Sequence, residues 1–311
     1  MRKGVKNVTK YIIKRILLAI VTIFVICAIT FFTMHAVPGG PFNSEKALSE
    51  ATVAALEARY GLDKPVGEQF VNYLKEVILH GDFGVSLKNG REISAIIGES
   101  FPVSAKLGLM AMAVALVCGT VFGCVAALMR NKVPDRIIIF FSTLFTAVPS
   151  FVLATLLLLV FCIQLEWFQV WSASSQNYLL PVIALAAYPM AYTTRLAKTS
   201  MLDALGQDYI RTAKAKGVSK WKVIFKHALR YSLIPVITYA GPQIAYIITG
   251  SMVVETIFTV GGLGSKFVSA INNRDYTLIM ATTIFLAALM VIANLVCDIL
   301  YKVVDPRIQY D

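Results

Sequence analysis

Six stretches of this chain stay apolar for about the 20 residues that a helix needs to cross a bilayer. They are residues 16–37, 107–129, 137–163, 179–196, 232–257 and 278–300. In hydrocarbon every backbone N–H and C=O must be satisfied within the protein, which confines such segments to helix. The expected fold class is therefore an all-α integral membrane protein with six transmembrane helices. Pro181 and Pro189 interrupt the fourth run, a feature that membrane helices tolerate when neighbours re-satisfy the freed carbonyls. Composition agrees, with 57% hydrophobic and 15% charged residues where soluble domains carry about 25% charged. The first run is longer than the ~7–15-residue core of a secretory signal and reads as a retained span.

Lysine and arginine are held on the cytoplasmic side during insertion. Arg2, Lys3, Lys6, Lys10, Lys14 and Arg15 precede the first run, Arg130, Lys132 and Arg136 lie between the second and third, and a basic segment joins the fourth to the fifth. The opposite side has Lys266, Arg274 and a long loop, 38–102, in which acids outnumber bases. Both termini are thus expected in the cytoplasm and 38–102 outside. The net charge of +11 is accounted for by topology and a docking surface, with no need of nucleic acid. Cys27, Cys118, Cys124, Cys162 and Cys297 all fall in the apolar runs and are expected as small buried hydrophobes. Three scattered histidines without a Cys or His pair at ligand spacing give no expectation of a metal site.

The exported loop carries its own helical punctuation. Ser49 can cap a helix with Ala54, Ala55, Ala58 and Tyr60 near one face, and Gly61 can end it. "LDKPVGEQFVNYLKEVILHGDFG" gives a second helix with Phe70, Tyr73, Leu74 and Val77 at helical spacing. A third short apolar stretch covers 93–97. Such a module reads as a packed cap, as a contact surface for an extracellular partner or as a gate over a path.

"DYIRTAKAKGVSKWKVIFKHALRYSLIPVI", residues 208–237, is basic yet helix-patterned. Gly217 suits a left-handed helix end and Ser219 an N-cap, giving two helices about a turn. Trp221, Ile224, Phe225 and Ala228 follow i, i+3, i+4, i+7, which predicts one apolar face, while Lys222, Lys226 and Arg230 form a basic stripe. A helix of this kind lies on anionic lipid or docks on a cytoplasmic protein. A turn tethered between two spans does not reach a DNA groove.

These residues resemble the cytoplasmic coupling loop of ABC importer membrane subunits, with pattern Glu-Ala-Ala, three residues, Gly, nine residues, Ile-x-Leu-Pro. Ala213, Gly217 and Leu229 match it; Arg211, Thr212, His227 and Arg230 depart from it in the manner of the peptide-importer branch. "YIIKRILLAI", "VPGGP", "YGLDKPVGEQFVNYL", "HGDFGVSLKNGREI", "VETIFTVGGLG" and "DPRI" are similar to the first membrane subunit of oligopeptide, dipeptide and nickel importers.

The resemblance implies a type I ABC importer fold divided into 1–37 (N-terminus and first span), 38–102 (extracellular helical module) and 103–311 (core permease, coupling loop 199–231). It also implies half of a translocation path. The implied partners are a second homologous permease subunit, two cytoplasmic ATP-binding subunits, an extracellular substrate-binding protein and membrane lipids. ATP and Mg would be used by the partner ATPases, and no cofactor is expected on this chain. The implied coupling residues are Arg211, Ala213, Gly217, Ser219, Trp221, Lys222, Ile224, Phe225 and Leu229.

Intrinsic catalysis is not expected. "GGLGSK" lacks the Gly-Lys-Ser/Thr order of a phosphate loop, and neither HExxH nor GxSxG occurs. Tyr239, Gln243, Tyr246 and Gly250 share one face of the fifth run, and Asn294 and Asp298 lie one turn apart in the sixth. They read either as path-lining groups or as interhelical hydrogen bonders. Uptake of nickel complexes or glutathione, and a membrane scaffold or receptor with a docking helix, are the alternative functions.

Overall fold

The structure is a computed structural model describing residues 2–38, 40–42, 50–172 and 174–304. Ser49 and the DPRI stretch lie outside the described residues, as does the side chain of Asp298. The described chain is helical, with one isolated antiparallel bridge, Val85 to Glu92. It divides into two compact units, Met1–Pro102 with Ser265–Asp311, and Val103–Gly264.

The first unit contains α1 (Arg2–Ala36), α2 (Glu50–Tyr60), α3 (Val66–Lys75), the start of α4 (Ile93–Leu128), and later helices α12 (Leu263–Asn273) and α13 (Tyr276–Val304). Pro65 is the N-cap of α3, and a π turn, Glu76–His80, extends the helix to Gly81. Phe70 is buried and joins Tyr73, Leu74 and Val77 against Cys27, Phe31, Met280 and Ile284. The predicted face of α3 is therefore the one that packs. On α2 the packing residues are Val53, Leu56 and Tyr60, whereas Ala54, Ala55 and Ala58 are exposed. Larger side chains gain more from burial than alanine does, which corrects the expected face.

His35 stacks on Phe31 at 4.3 Å and contacts Phe31 O (2.9 Å) and Gln69 Oε1 (3.2 Å) through its two ring nitrogens. Buried Asp275 accepts from Ser86 Oγ at 2.5 Å and from the Leu87 and Leu278 N–H groups at 3.1 and 3.3 Å. It thereby ties the 82–92 hairpin to the first turn of α13.

The stretch 93–97 is no separate element. Ile93, Ile96 and Ile97 are buried in the first turns of α4, which runs through Pro102. Their i, i+3, i+4 spacing puts them on one face of that helix.

The second unit holds the rest of α4, α5 (Val133–Ala147), α6 (Ser150–Leu157) with a π continuation Leu158–Gln164, and α7 (Leu179–Gly206). It continues with α8 (Asp208–Ala215), α9 (Lys220–Lys222), a π stretch Val223–Ala228, α10 (Leu229–Ile248) and α11 (Met252–Ile257). Among the described residues four helices are long and apolar enough to cross a membrane: Ile13–Ala36, Ile93–Leu128, Lys220–Ile248 and Tyr276–Cys297. A fifth span results if α5 is taken together with α6 and its π continuation, but that pair is bent by 103°. Val148 is extended (φ −81°, ψ 122°) ahead of Pro149, as the clash of a proline ring with the preceding residue requires. The run 137–163 is thus broken rather than straight.

The run 232–257 is also redrawn. Its helix starts at Lys220, inside the basic segment, and stops at Ile248, before a bend at Gly250. The fourth run forms the first part of α7, whose many buried alanines allow close helix contact. At Gly123 of α4 a Cβ would stand 2.5 Å from Thr194 O and 2.6 Å from the Ala197 Cβ, so only glycine admits α7 at that distance. No disulfide joins the five cysteines; Cys27 alone of them is buried, and the others are half-exposed. On helices presenting apolar flanks outward, small size does not enforce burial.

Candidate functional site

The basic segment is built as an anchored corner. Gly217 has φ +76°, its N–H donates to Lys214 O at 3.0 Å, and Val218 N–H donates to Ala213 O at 3.2 Å. These bonds satisfy the last carbonyls of α8 and turn the chain toward α9. Ser219 has the extended backbone of an N-cap, but its hydroxyl makes no capping hydrogen bond.

Beyond Gly217 the expected single apolar face divides in two. Val223, Ile224 and Ala228 are buried with Ile210, Ala213, Met201, Ala204 and Ala127. Trp221 and Phe225 are 70% and 59% exposed and stack on each other at 5.7 Å with 15° between the rings. Val223–Ala228 forms π turns, in which i→i+5 bonding widens the helix, so the 3.6-residue spacing no longer assigns faces.

Lys214, Lys216, Lys220, Lys222, Lys226 and Arg230 of the same segment are exposed. Arg211 is exposed and lies 3.5 Å from Asp208, while Leu229 is half-buried. The Tyr209 and Tyr231 rings lie 5.1 Å apart. Burial, with a smaller contribution from Tyr231, holds the Tyr209 phenol above its usual range. The segment thus presents two stacked, exposed aromatic rings and several exposed basic residues on a base held by a buried core. An aromatic anchor surrounded by polar groups is the usual anatomy of a protein docking site.

A second constellation lies between α7 and α10. Tyr192 stacks on Tyr239 at 4.5 Å, and the Tyr239 hydroxyl is buried with no hydrogen-bond partner among the described residues. Tyr188, one turn before Tyr192, is 50% exposed; Tyr246 is 65% exposed and Gln243 half-buried. The structure thus adds two tyrosines of α7 to the residues expected on α10. Their i, i+4 spacing was visible in the sequence, but nothing there paired the helices. Asn294 is half-buried on α13 in the other unit. Glu255, also missed, is fully buried beside Gly250, Gly262 and Gly264. Its signal was a single acid within a glycine-rich apolar stretch. Among the described residues no group of three or more His, Cys, Asp or Glu could hold a metal ion.

Comparison with known proteins places the chain in one family. Residues 119–310 match the binding-protein-dependent transport system inner membrane component, and residues 8–108 match the N-terminal model of such membrane components. The chain is 44% identical over 302 residues to the dipeptide transport system permease protein DppB of Bacillus subtilis, covering 96% of this chain and 98% of that protein. It is 43% identical over 305 residues to the oligopeptide transport system permease protein OppB of Haemophilus influenzae, covering 97% and 99%. A crystallised amino acid ABC transporter with histidines has the same fold over 69% of this chain and 95% of its own, at a TM-score of 0.52 and 14% identity. The relatives are permease subunits of transport systems, and this chain, an all-helical protein with several apolar helices, belongs to the family of binding-protein-dependent inner-membrane components, as a permease subunit of an ABC importer.

Proposed function

We propose that the chain is the first permease subunit of an ATP-driven peptide importer and that residues 208–230 dock on a cytoplasmic ATPase. The observation that carries this reading is the exposed Trp221–Phe225 stack on a corner whose other face is buried. An apolar pair held out of its own core is suited to a partner's groove. The names of the relatives support dipeptides or oligopeptides as cargo.

In this reading the chain crosses the membrane six times, with α7 and the bent α5–α6 pair supplying the two spans beyond the four long apolar helices. Both termini lie in the cytoplasm and the α2–α3 module lies outside. ATP and Mg act in the ATPase subunits. A second homologous permease completes the path, and an extracellular binding protein delivers peptide. The wall formed by Tyr188, Tyr192, Tyr239, Gln243 and Tyr246 suits peptides, because it offers aromatic faces and hydrogen bonds without fixed charge. Closure of the ATPases moves the docked corner and rocks the helices between inward-open and outward-open states.

The α2–α3 module faces the binding protein. A cavity of about 280 Å³ opens there among Phe31, His35, Tyr60, Tyr73 and Tyr276, and burial raises the Tyr73 phenol above its usual range.

The test is reconstitution of this chain with its second permease, ATPases and binding protein in proteoliposomes. ATP-dependent accumulation of labelled di- and oligopeptides is expected. Accumulation of nickel complexes or glutathione without peptides would replace the cargo, and ATP-independent behaviour would favour a scaffold or receptor.

A further inference from the structure

Asp135, the third residue of α5, is 5% exposed. Its Oδ1 receives Lys198 Nζ at 2.5 Å and its Oδ2 receives the backbone N–H of Asn131 at 2.9 Å. Asn131 sits in the tight turn between α4 and α5 with φ +65°. Lys198 lies on α7 about two turns before its end at Gly206, where the docking corner begins. One carboxylate therefore bolts the α4–α5 turn to α7. Beside that bolt, Gly123 brings α4 against the Lys198 backbone, where an added Cβ would be 2.9 Å from its nitrogen.

An ion pair built on a buried carboxylate and a half-buried lysine is a poor source of stability, because desolvation offsets the attraction; the best-attested use of such pairs is to fix register. Register needs fixing here. Apolar side chains on α5, among them Val133, Ile137, Phe140 and Phe141, are exposed, and in a bilayer such groups gain no more from a neighbouring helix than from lipid. Toward the corner, Met201 and Ala204 of α7 share a core with Ile210, Ala213, Val223, Ile224 and Ala228, and with Ala127 of α4. The corner is thus continuous with the ends of α4 and α7, while α5 packs along α7 and is pinned to it at one end by a charge pair.

We propose that Asp135 and Lys198 are positioning residues for transport: their pair makes α5 follow the docking corner, so that motion driven at the corner reaches the 103° break before α6. This rests on the reading that ATPases drive the corner. The pair neither binds ATP nor touches peptide.

The experiment compares the reconstituted complex carrying wild-type chain, Lys198→Arg, Asp135→Asn, and the uncharged double variant Asp135→Asn with Lys198→Met. Uptake per ATP hydrolysed and retention of ATPase subunits are measured together. The double variant removes the buried carboxylate together with its half-buried lysine partner, so it avoids the unpaired lysine left by Asp135→Asn alone. We expect it to insert, retain its ATPases and hydrolyse ATP within about twofold of wild type, while uptake per ATP falls about tenfold. Asp135→Asn should show the same loss, and Lys198→Arg should keep the wild-type ratio. A double variant with the wild-type ratio would show that the pair serves only packing and would overturn the proposal. Loss of insertion or ATPase retention in the double variant, or a collapsed ratio in Lys198→Arg, would overturn it too. Absence of ATP-driven uptake in the wild-type arm would instead refute the importer reading, which keeps the two failures apart.

Discussion

Gly217 at φ +76° has no heavy atom within 4 Å of the position its Cβ would take. Space therefore does not select glycine; conformation does. A β-branched residue in this left-handed region is strained by about 1–2 kcal/mol. Gly217→Val is expected to release the turn, redirect Trp221 and Phe225, and lower ATPase retention after detergent extraction while membrane insertion stays normal. Pull-down of the ATPase subunits checks it, and full retention would count against the docked corner. Lys222→Ala with Lys226→Ala should have a smaller effect that shrinks further with salt, because exposed charges are screened. Measuring ATPase retention across a salt series separates the two cases.

Among the elements, α7 and α10 show where sequence reading holds and where it stops. The helical character of the apolar runs and the turn at Gly217 were legible, though not every run's bounds, because hydrocarbon and a left-handed turn each demand a narrow set of residues. The split of Trp221 and Phe225 from Ile224 was not, since a π stretch abandons the period on which the face was assigned. Nor was the bend at Val148–Pro149, as a proline in an apolar run marks either a kink or a full break. The Tyr192–Tyr239 stack escaped because pairing of helices far apart in the chain has no local signal. Such a stack contributes about 0.5–1.5 kcal/mol beyond burial. Tyr192→Ala is expected to raise the KM for peptide uptake several-fold with little change in ATPase retention, and Tyr192→Phe to stay near wild type. Transport kinetics with a peptide series measures this, and an unchanged KM in the alanine variant would return the tyrosines to simple packing.

For the whole molecule, the positive charges predict one side of the membrane for 208–230 and the other for the 82–92 hairpin and α12. Asn89, Asn272 and Ser219 are all exposed and suit cysteine substitution. An impermeant thiol reagent is expected to label Asn89→Cys and Asn272→Cys in intact cells, and Ser219→Cys only after permeabilisation. Labelling of Ser219→Cys in intact cells would invert the topology and remove the corner from the ATPases. The account as a whole turns on whether the exposed aromatic pair is where ATP hydrolysis is connected to this chain. The direct measurement is ATPase retention and ATP-driven peptide uptake by the reconstituted complex carrying Trp221→Ala with Phe225→Ala. Both rings project from the buried core, so the variant should insert and fold; truncating two aromatic anchors is expected to cost about 2 kcal/mol or more of docking, with loss of bound ATPase and of uptake. Wild-type ATPase retention and uptake in that variant would contradict the account.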